Sequence, residues 1–474
     1  MSIATYIPSE LFHEIFKHVE PRAELTQCCL ISKTCYLYAT PLLYEWIYVY
    51  TWHTDAKKRV SIILETLAGS PRLAFHVKIL DFRVFPTPFT VDEKLELVRL
   101  ACQAIDRCVN LISCSWTRDG SLYSKIIESL AGLKKLKSLE INGRPGRWTA
   151  WVPDDLFRFR HLESLTLIMP VQAVTEILPA WTAQNSETLQ SLVIICKSTT
   201  ALGDVTLRKM IPSLRGLRRL HLAGCAKITE GSVKEALSDN IVGLRSLAIE
   251  GCSPYFDMSA LSAHCFEHKL LSSLSSISLT LPYCKDSIQR DRWISDALLL
   301  LHHSPIESFQ LYAGGGTTAE GELSYASINF ESIRGLVDGH SVTLKRIGIQ
   351  RLIVSVELVH YASCVCPSLE DVFITVCDAN RDDLAQALAP GKALRNVHVT
   401  LMREAAGSLK ALHLATAQDI CQYIAQRCGG SLQLIGAQTR VWKVIRNYTR
   451  EQTTVSLGPY SGPQIPEQFL MMRA

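Results

Sequence analysis

Three groups of residues in this sequence have side chains that do chemistry, and their spacings decide what chemistry is open to them. His264 and His268 stand four apart in His264-Cys265-Phe266-Glu267-His268, one helical turn, a spacing that can hold zinc. The metalloprotease form of that pattern needs a glutamate directly after the first histidine, and Cys265 stands there instead. No clustered cysteine or histidine elsewhere completes a ligand set by spacing, so we expect no metal and no cofactor, and histidines on a solvated helix face. Cys364-Val365-Cys366 and Cys28-Cys29 lack the two-residue spacing of a zinc knuckle or redox pair and read as buried thiols. Gly314-Gly315-Gly316-Thr317-Thr318 lacks the lysine that ends a phosphate loop and reads as a loop on the rim of a sheet. The sequence has no G-x-S-x-G nucleophile elbow. Nothing supports an enzyme, and the expectation is a binding surface.

The elements that would carry such a surface repeat. Leu217-Arg218-Arg219-Leu220-His221-Leu222-Ala223-Gly224-Cys225 reads L-x-x-L-x-L-x-x-C, and weaker copies start at residues 136, 162, 189, 244, 274, 306, 344, 369 and 394. The gaps run from 25 to 38 residues, the period of a leucine-rich-repeat solenoid. Leu220 and Leu222 are two apart, so in a strand they share one side, and Arg219 and His221 share the other. Helical spacing follows most strands, as in Val233, Ala236 and Leu237, or Leu384, Ala387 and Leu388. Each unit is thus strand, loop and helix, the fold class is α/β, and the coil is right-handed with strands on the concave side and helices on the convex side. The open side of the middle units carries small residues. Arg219, His221, Tyr312, Arg346, Asp371, Phe373 and His398 stand out on it as candidate substrate-binding residues, several of them of the aromatic and arginine types that dominate interface energetics.

Composition agrees. The chain has 474 residues, 47% of them hydrophobic, so it can bury a large core. Its 49 basic and 45 acidic residues leave a net charge of +4, which gives no argument for nucleic acid or an anionic membrane. No apolar run is long enough for a membrane span, and Pro8, Glu10 and Glu14 interrupt any secretory leader, so the expected setting is cytoplasmic or nuclear with the 16 cysteines reduced.

Residues 1–48 differ from the repeats. Leu11, Ile15 and Val19 fall at i, i+4 and i+8 behind Pro8, an amphipathic helix. Pro21 opens a second segment with Leu25, Cys28, Cys29 and Ser32 on one side, and Tyr36 to Leu43 makes a third, broken by Pro41. The order Ile7-Pro8-x-Glu10-Leu11-x-x-x-Ile15-Phe16, then Leu25-x-x-Cys28-x-Leu30-Ile31-Ser32-Lys33, then Tyr36 and Leu42-Leu43-Tyr44, resembles an F-box. Cys35 takes the place where that family usually has tryptophan. The repeats resemble the cysteine-containing leucine-rich repeats often joined to an F-box, most clearly from Leu220 to Leu237. The resemblance implies a substrate-recognition subunit of a Skp–cullin–F-box ubiquitin ligase. In it Pro8, Leu11, Ile15, Leu30 and Ile31 would anchor a Skp-type adaptor, and through it a cullin–RING ligase, while the solenoid holds a protein substrate. The alternative is a leucine-rich-repeat scaffold whose N-terminal helices merely cap the solenoid.

The expected divisions are therefore an F-box at 1–48, degenerate first repeats and a long helical connection at 49–125, the solenoid at 126–437, and a cap with a loosely ordered tail at 438–474. The connection includes a helix from Val91 to Cys108 with Leu95, Val98, Ala101, Cys102 and Ile105 in register. Val441 to Ile445 is expected to cover the sheet's open end.

Overall fold

The computed structural model describes residues 8–19, 22–88, 90–145, 151–196, 200–313, 326–405, 408–448 and 453–460. Ile7, Pro21, the Gly314–Gly316 stretch and the segment from 461 lie outside the described residues. The chain forms two compact units, one ending at Gly216 and one spanning Leu217–Tyr460. That division falls inside the stretch expected to be one solenoid.

The first unit opens with helices α1 (Leu11–Lys17), α2 (Arg22–Ile31) and α3 (Lys33–Glu45). Phe16, Leu25, Cys35 and Ala39 form their buried centre, with Phe12, Val19, Cys28, Cys29, Leu42 and Leu43 packed around it. Two expectations are corrected here. Pro41 does not break the third helix but sits inside it. Proline removes one backbone donor, and the buried residues Cys35, Ala39 and Thr40 hold the helix against α1 and α2 regardless. Ser32 does not lie on the apolar side of α2; its hydroxyl caps α3, accepting from the Cys35 amide at 3.1 Å.

Strands β1 (Trp46–Val49), β2 (Ile79–Phe82), β3 (Ser113–Trp116), β4 (Ser138–Asn142), β5 (Ser164–Ile168) and β6 (Ser191–Ile195) then pair in parallel, each in register with the next. Leu139, Ile141, Leu165, Leu167, Leu192 and Ile194 point to the helices and are buried, as the leucine spacing requires. The helices between strands are α4 (Ala56–Gly69), α5 (Pro71–Ala74), α6 (Val91–Arg107), α7 (Ser124–Ala131), α8 (Gln172–Gln184) and α9 (Asp204–Met210). Thr90 and Glu93 close a capping box that starts α6. Leu95 is a further correction: it is 61% exposed, because Val98, Ala101, Ala104 and Ile105 already fill the buried stripe. Asn185 ties two repeats together, accepting from the Leu162 amide and donating to the Phe159 and Trp181 carbonyls.

In the second unit β7 (Arg219–Ala223), β8 (Ser246–Glu250), β9 (Ser276–Leu281), β10 (Ser308–Ala313), the two-residue β11 (Ala326–Ser327), β12 (Arg346–Ile353), β13 (Asp371–Cys377) and β14 (Asn396–Ala405) continue the parallel pattern. Helices α10 (Glu230–Ser238), α11 (Met258–His268), α12 (Ser287–Leu299), α13 (Phe330–His340), α14 (Val356–Val365) and α15 (Arg381–Leu388) return the chain. Asp257, Asp286, Asn329, Ser355 and Asn380 cap five of them through their side chains, which is why each helix starts where it does. Both units are therefore built of leucine-rich-repeat strand–helix units.

The end of the chain departs from the expectation. β14 runs on into a hairpin with β15 (Ser408–Ala411), and after α16 (Leu414–Arg427) comes the parallel strand β16 (Leu434–Ala437). β17 (Arg440–Tyr448) pairs antiparallel with β16, and β18 (Thr453–Pro459) with β17. So Val441–Lys443 pairs along the last parallel strand, as expected of a segment covering the open edge, and the departure is Thr453–Pro459, expected to be loose, which forms a regular strand. Arg446 fixes this cap by donating to the Leu432 and Gly429 carbonyls.

Candidate functional site

Three surfaces come out of this fold, two in the first unit and one in the second. On the N-terminal helices, all five residues proposed as adaptor anchors face solvent: Pro8, Leu11, Ile15, Leu30 and Ile31 are exposed. The helical period explains it. Phe12, Phe16 and Val19 take the inner face of α1, which leaves Leu11 and Ile15 outside. Leu30 is 75% and Ile31 69% exposed, and Tyr36 and Leu37 of α3 are also exposed. Neither was named as an anchor from the sequence, although Tyr36 belongs to the F-box-like pattern; their place one and two residues past Cys35, on a helix whose core positions are Cys35 and Ala39, was the available signal.

The open strand face of the first unit carries a charged network. The Tyr50 hydroxyl donates to Asp81 Oδ2 at 2.8 Å, and Arg83 Nε lies 3.0 Å from Asp81 Oδ1. Arg83 reaches across β3 to donate from both terminal nitrogens to the two Glu140 oxygens at 2.8 Å, where Ser115 also donates. Ser115 is the residue of the intervening strand in register between Asp81 and Glu140. Burial pushes the Asp81 carboxyl up, with Arg83 opposing. Burial also pulls Arg83 down, but Glu140 and Asp81 outweigh it and hold its pKa above the ordinary range. Beside this network Trp52 stacks on Tyr50 at 4.6 Å, and the Arg22 guanidinium lies over the Tyr48 ring at 4.4 Å. Asp81 and Arg83 stand two apart at the end of a strand, so their shared face was readable; the bridge to Glu140 was not.

On the second unit the candidate substrate residues fall into two places. Arg346, Asp371, Phe373 and His398 sit on three adjacent strands. Arg346 Nε donates to Asp371 Oδ2 and Asn396 Nδ2 to Oδ1, both at 2.7 Å, and Arg346 lies 5.7 Å from the Phe373 ring centre. Tyr312 is on the neighbouring strand, under the Arg351 guanidinium at 4.9 Å. Arg219 and His221 lie four strands from Arg346, with His221 Nε2 2.7 Å from Ser246 Oγ. Three of these residues have little surface to offer. Asp371 is 7% exposed, Phe373 2% and His398 8%. The flanking positions in the register are Gly348 beside Phe373 and Gly436 beside His398, and the histidine ring lies in the space that the missing Gly436 side chain vacates. Arg351 was missed, since it stands past the repeat's last regular position; its φ of 57° turns the chain there.

The groups singled out for possible chemistry behave as ordinary side chains. The His264 and His268 rings are 4.6 Å apart on α11, and His264 Nε2 lies 2.8 Å from Ser238 Oγ. Among the described residues no group of three or more His, Cys, Asp or Glu is placed to hold a metal. None of the 16 cysteines is paired in a disulfide. Cys366 is buried, but Cys364 is exposed, a correction to the reading of both as core thiols: Cys364 lies in the last turn of α14, and Cys366 is the extended residue just past its end. A groove of about 760 Å³ between α6 and α7 is lined by Cys102, Asp106, Lys125, Glu128 and Lys135. No helix of the described residues is long and apolar enough to cross a membrane.

No family model matches the sequence, and no curated protein matches it. Among solved structures, the chain is similar to one from the yeast Rad7–Elc1 complex, at 15% identity and a TM-score of 0.38 over 76% of this chain and 87% of that one. It is also similar to the leucine-rich repeat-containing protein LegL7 of Legionella pneumophila, at 14% identity and a TM-score of 0.36 over 67% of this chain and 90% of that one.

Proposed function

We propose that this chain is the non-catalytic substrate-recognition subunit of a Skp–cullin–F-box ubiquitin ligase. The observation that carries the reading is the N-terminal helix trio. Its own centre is filled by Phe16, Leu25, Cys35 and Ala39, yet Leu11, Ile15, Leu30, Ile31, Tyr36 and Leu37 remain on the outside. Apolar side chains left exposed together on so small a body mark a partner site. All but Leu37 stand at positions by which the sequence resembles an F-box. In this reading the adaptor binds there, the repeats hold a protein substrate, and the chain contributes proximity rather than bond chemistry.

The scaffold alternative has one observation in its favour: Arg22 of α2 donates to the Leu43 carbonyl and covers Tyr48 of β1, which ties the helices to the first strand. Co-expression with a Skp-type adaptor separates the two. A stoichiometric complex on size exclusion, lost in Leu11→Asp plus Ile15→Asp while the thermal melt is unchanged, supports the ligase subunit. Absence of a complex with the native chain defeats it, and loss of solubility in the variant favours the cap.

A further inference from the structure

We propose that the open strand face of the second unit takes an extended acidic segment of a protein partner, lying across the strands from Arg219 to Arg351. This rests on the reading of the chain as a protein-binding receptor and names what that receptor binds.

The argument is one of unbalanced charge. Arg219, at the first strand of the unit, is exposed, and among the described residues no ion pair engages it. Arg351, at the end of β12, is likewise without an ion pair; its guanidinium lies over the Tyr312 ring. The carboxylates of the same face are withdrawn. Glu250 is 1% exposed and accepts from Ser278 at 2.6 Å, and Asp371 is held by Arg346 and Asn396. The face therefore offers cations at its two ends and keeps its anions beneath the surface.

Between those ends the floor is low and donates. Ser246, Ser276 and Ser308 stand in register, with Ala248 and Ser278 in the next row. A peptide backbone fits over such residues, and the hydroxyls of Ser276 and Ser308 can donate to carboxylates, while Ser278 and Ser246 are engaged by Glu250 and His221. Arg219 is in the same row as Arg346, four strand spacings away or about 19 Å, and Arg351 stands five residues further along β12, about 16 Å, so about 25 Å separates the two arginines, which an extended segment of about eight residues spans. A basic segment would meet two uncompensated guanidinium groups, and an apolar one would desolvate them without return.

The test uses the full chain and dye-labelled ten-residue peptides in fluorescence anisotropy. One carries glutamates at both ends of a Ser/Ala centre, one lysines in those places, and one phosphoserines. The glutamate peptide is expected to bind, to weaken as salt is raised, and to bind about tenfold or more weakly to Arg219→Glu plus Arg351→Glu, while Lys57→Glu on α4 leaves binding unchanged. Should the reversed variant fail to fold, Arg219→Gln plus Arg351→Gln is expected to show the same loss. No binding of the glutamate peptide, equal binding of the lysine peptide, binding of the phosphoserine peptide alone, or indifference to both arginine variants would each overturn the proposal. Adaptor capture is measured on the same preparations. A chain that captures the adaptor but ignores the glutamate peptide loses this proposal and keeps the ligase reading; the reverse result does the opposite.

Discussion

The His398 ring occupies the space beside Gly436 that any side chain there would need: a Cβ on Gly436 would lie 2.4 Å from His398 Cδ2. The Arg440 carbonyl and Val441 close the other directions at about 3 Å. Gly436→Ala is therefore expected to cost about 1–3 kcal/mol by forcing the ring off its position. Urea unfolding measures it; a variant as stable as the native chain would show that the ring moves freely.

The same burial makes His398 a pH-dependent element. Desolvation lowers its pKa from 6.5 to about 4, with Gln438 offsetting this in part. Below pH 6.5 the unfolded chain takes the proton first, so stability is full above that pH and falls as the pH drops toward 4. The loss from this group is about 2 kcal/mol at pH 5. His398→Gln should flatten the corresponding part of the curve of unfolding free energy against pH. An unchanged slope between pH 7 and 5 would assign the dependence to other groups.

Arg83 holds two carboxylates that face one another across β3. Arg83→Leu leaves Asp81 and Glu140 without their cation and is expected to cost about 3 kcal/mol. Arg83→Leu with Asp81→Asn and Glu140→Gln should recover most of that. A triple-mutant cycle, built from the single and paired variants, checks it, and additive losses would mean the three do not act as a unit.

Core and surface of the N-terminal helices should separate cleanly. Phe16→Ala empties the middle of the trio and is expected to cost about 3 kcal/mol, read as lost amide-exchange protection in α1 to α3. Leu30→Ser should change stability by less than about 0.5 kcal/mol. If the two substitutions cost the same, Leu30 is not a free surface residue.

Asn185 is buried and satisfies three backbone groups of two successive repeats. Asn185→Ala orphans them and should cost about 2–3 kcal/mol, against little for the exposed Gln172→Ala nearby. Calorimetric melting of the two variants makes the comparison.

The amino-acid order alone determined the repeat, because leucines two apart must share a side of a strand and no single strand can bury them without a neighbour. Capping residues did the same for the helices: Asp257, Asp286, Asn329, Ser355 and Asn380 set where they begin. Tertiary structure decided which side chains on the open face remain available. Asp371, Phe373 and His398 occupy face positions by sequence but are buried: Arg346 engages Asp371 and lies over Phe373, and the His398 ring fills the space beside Gly436. The Arg83–Glu140 bridge joins residues 57 apart, a separation that no local spacing encodes. Likewise Thr453–Pro459 reads as a loose polar tail until β17 supplies its backbone partners. Periodicity fixes which way a residue points within its own element; burial, pairing and charge balance depend on the neighbour it meets, and only the folded chain supplies that neighbour.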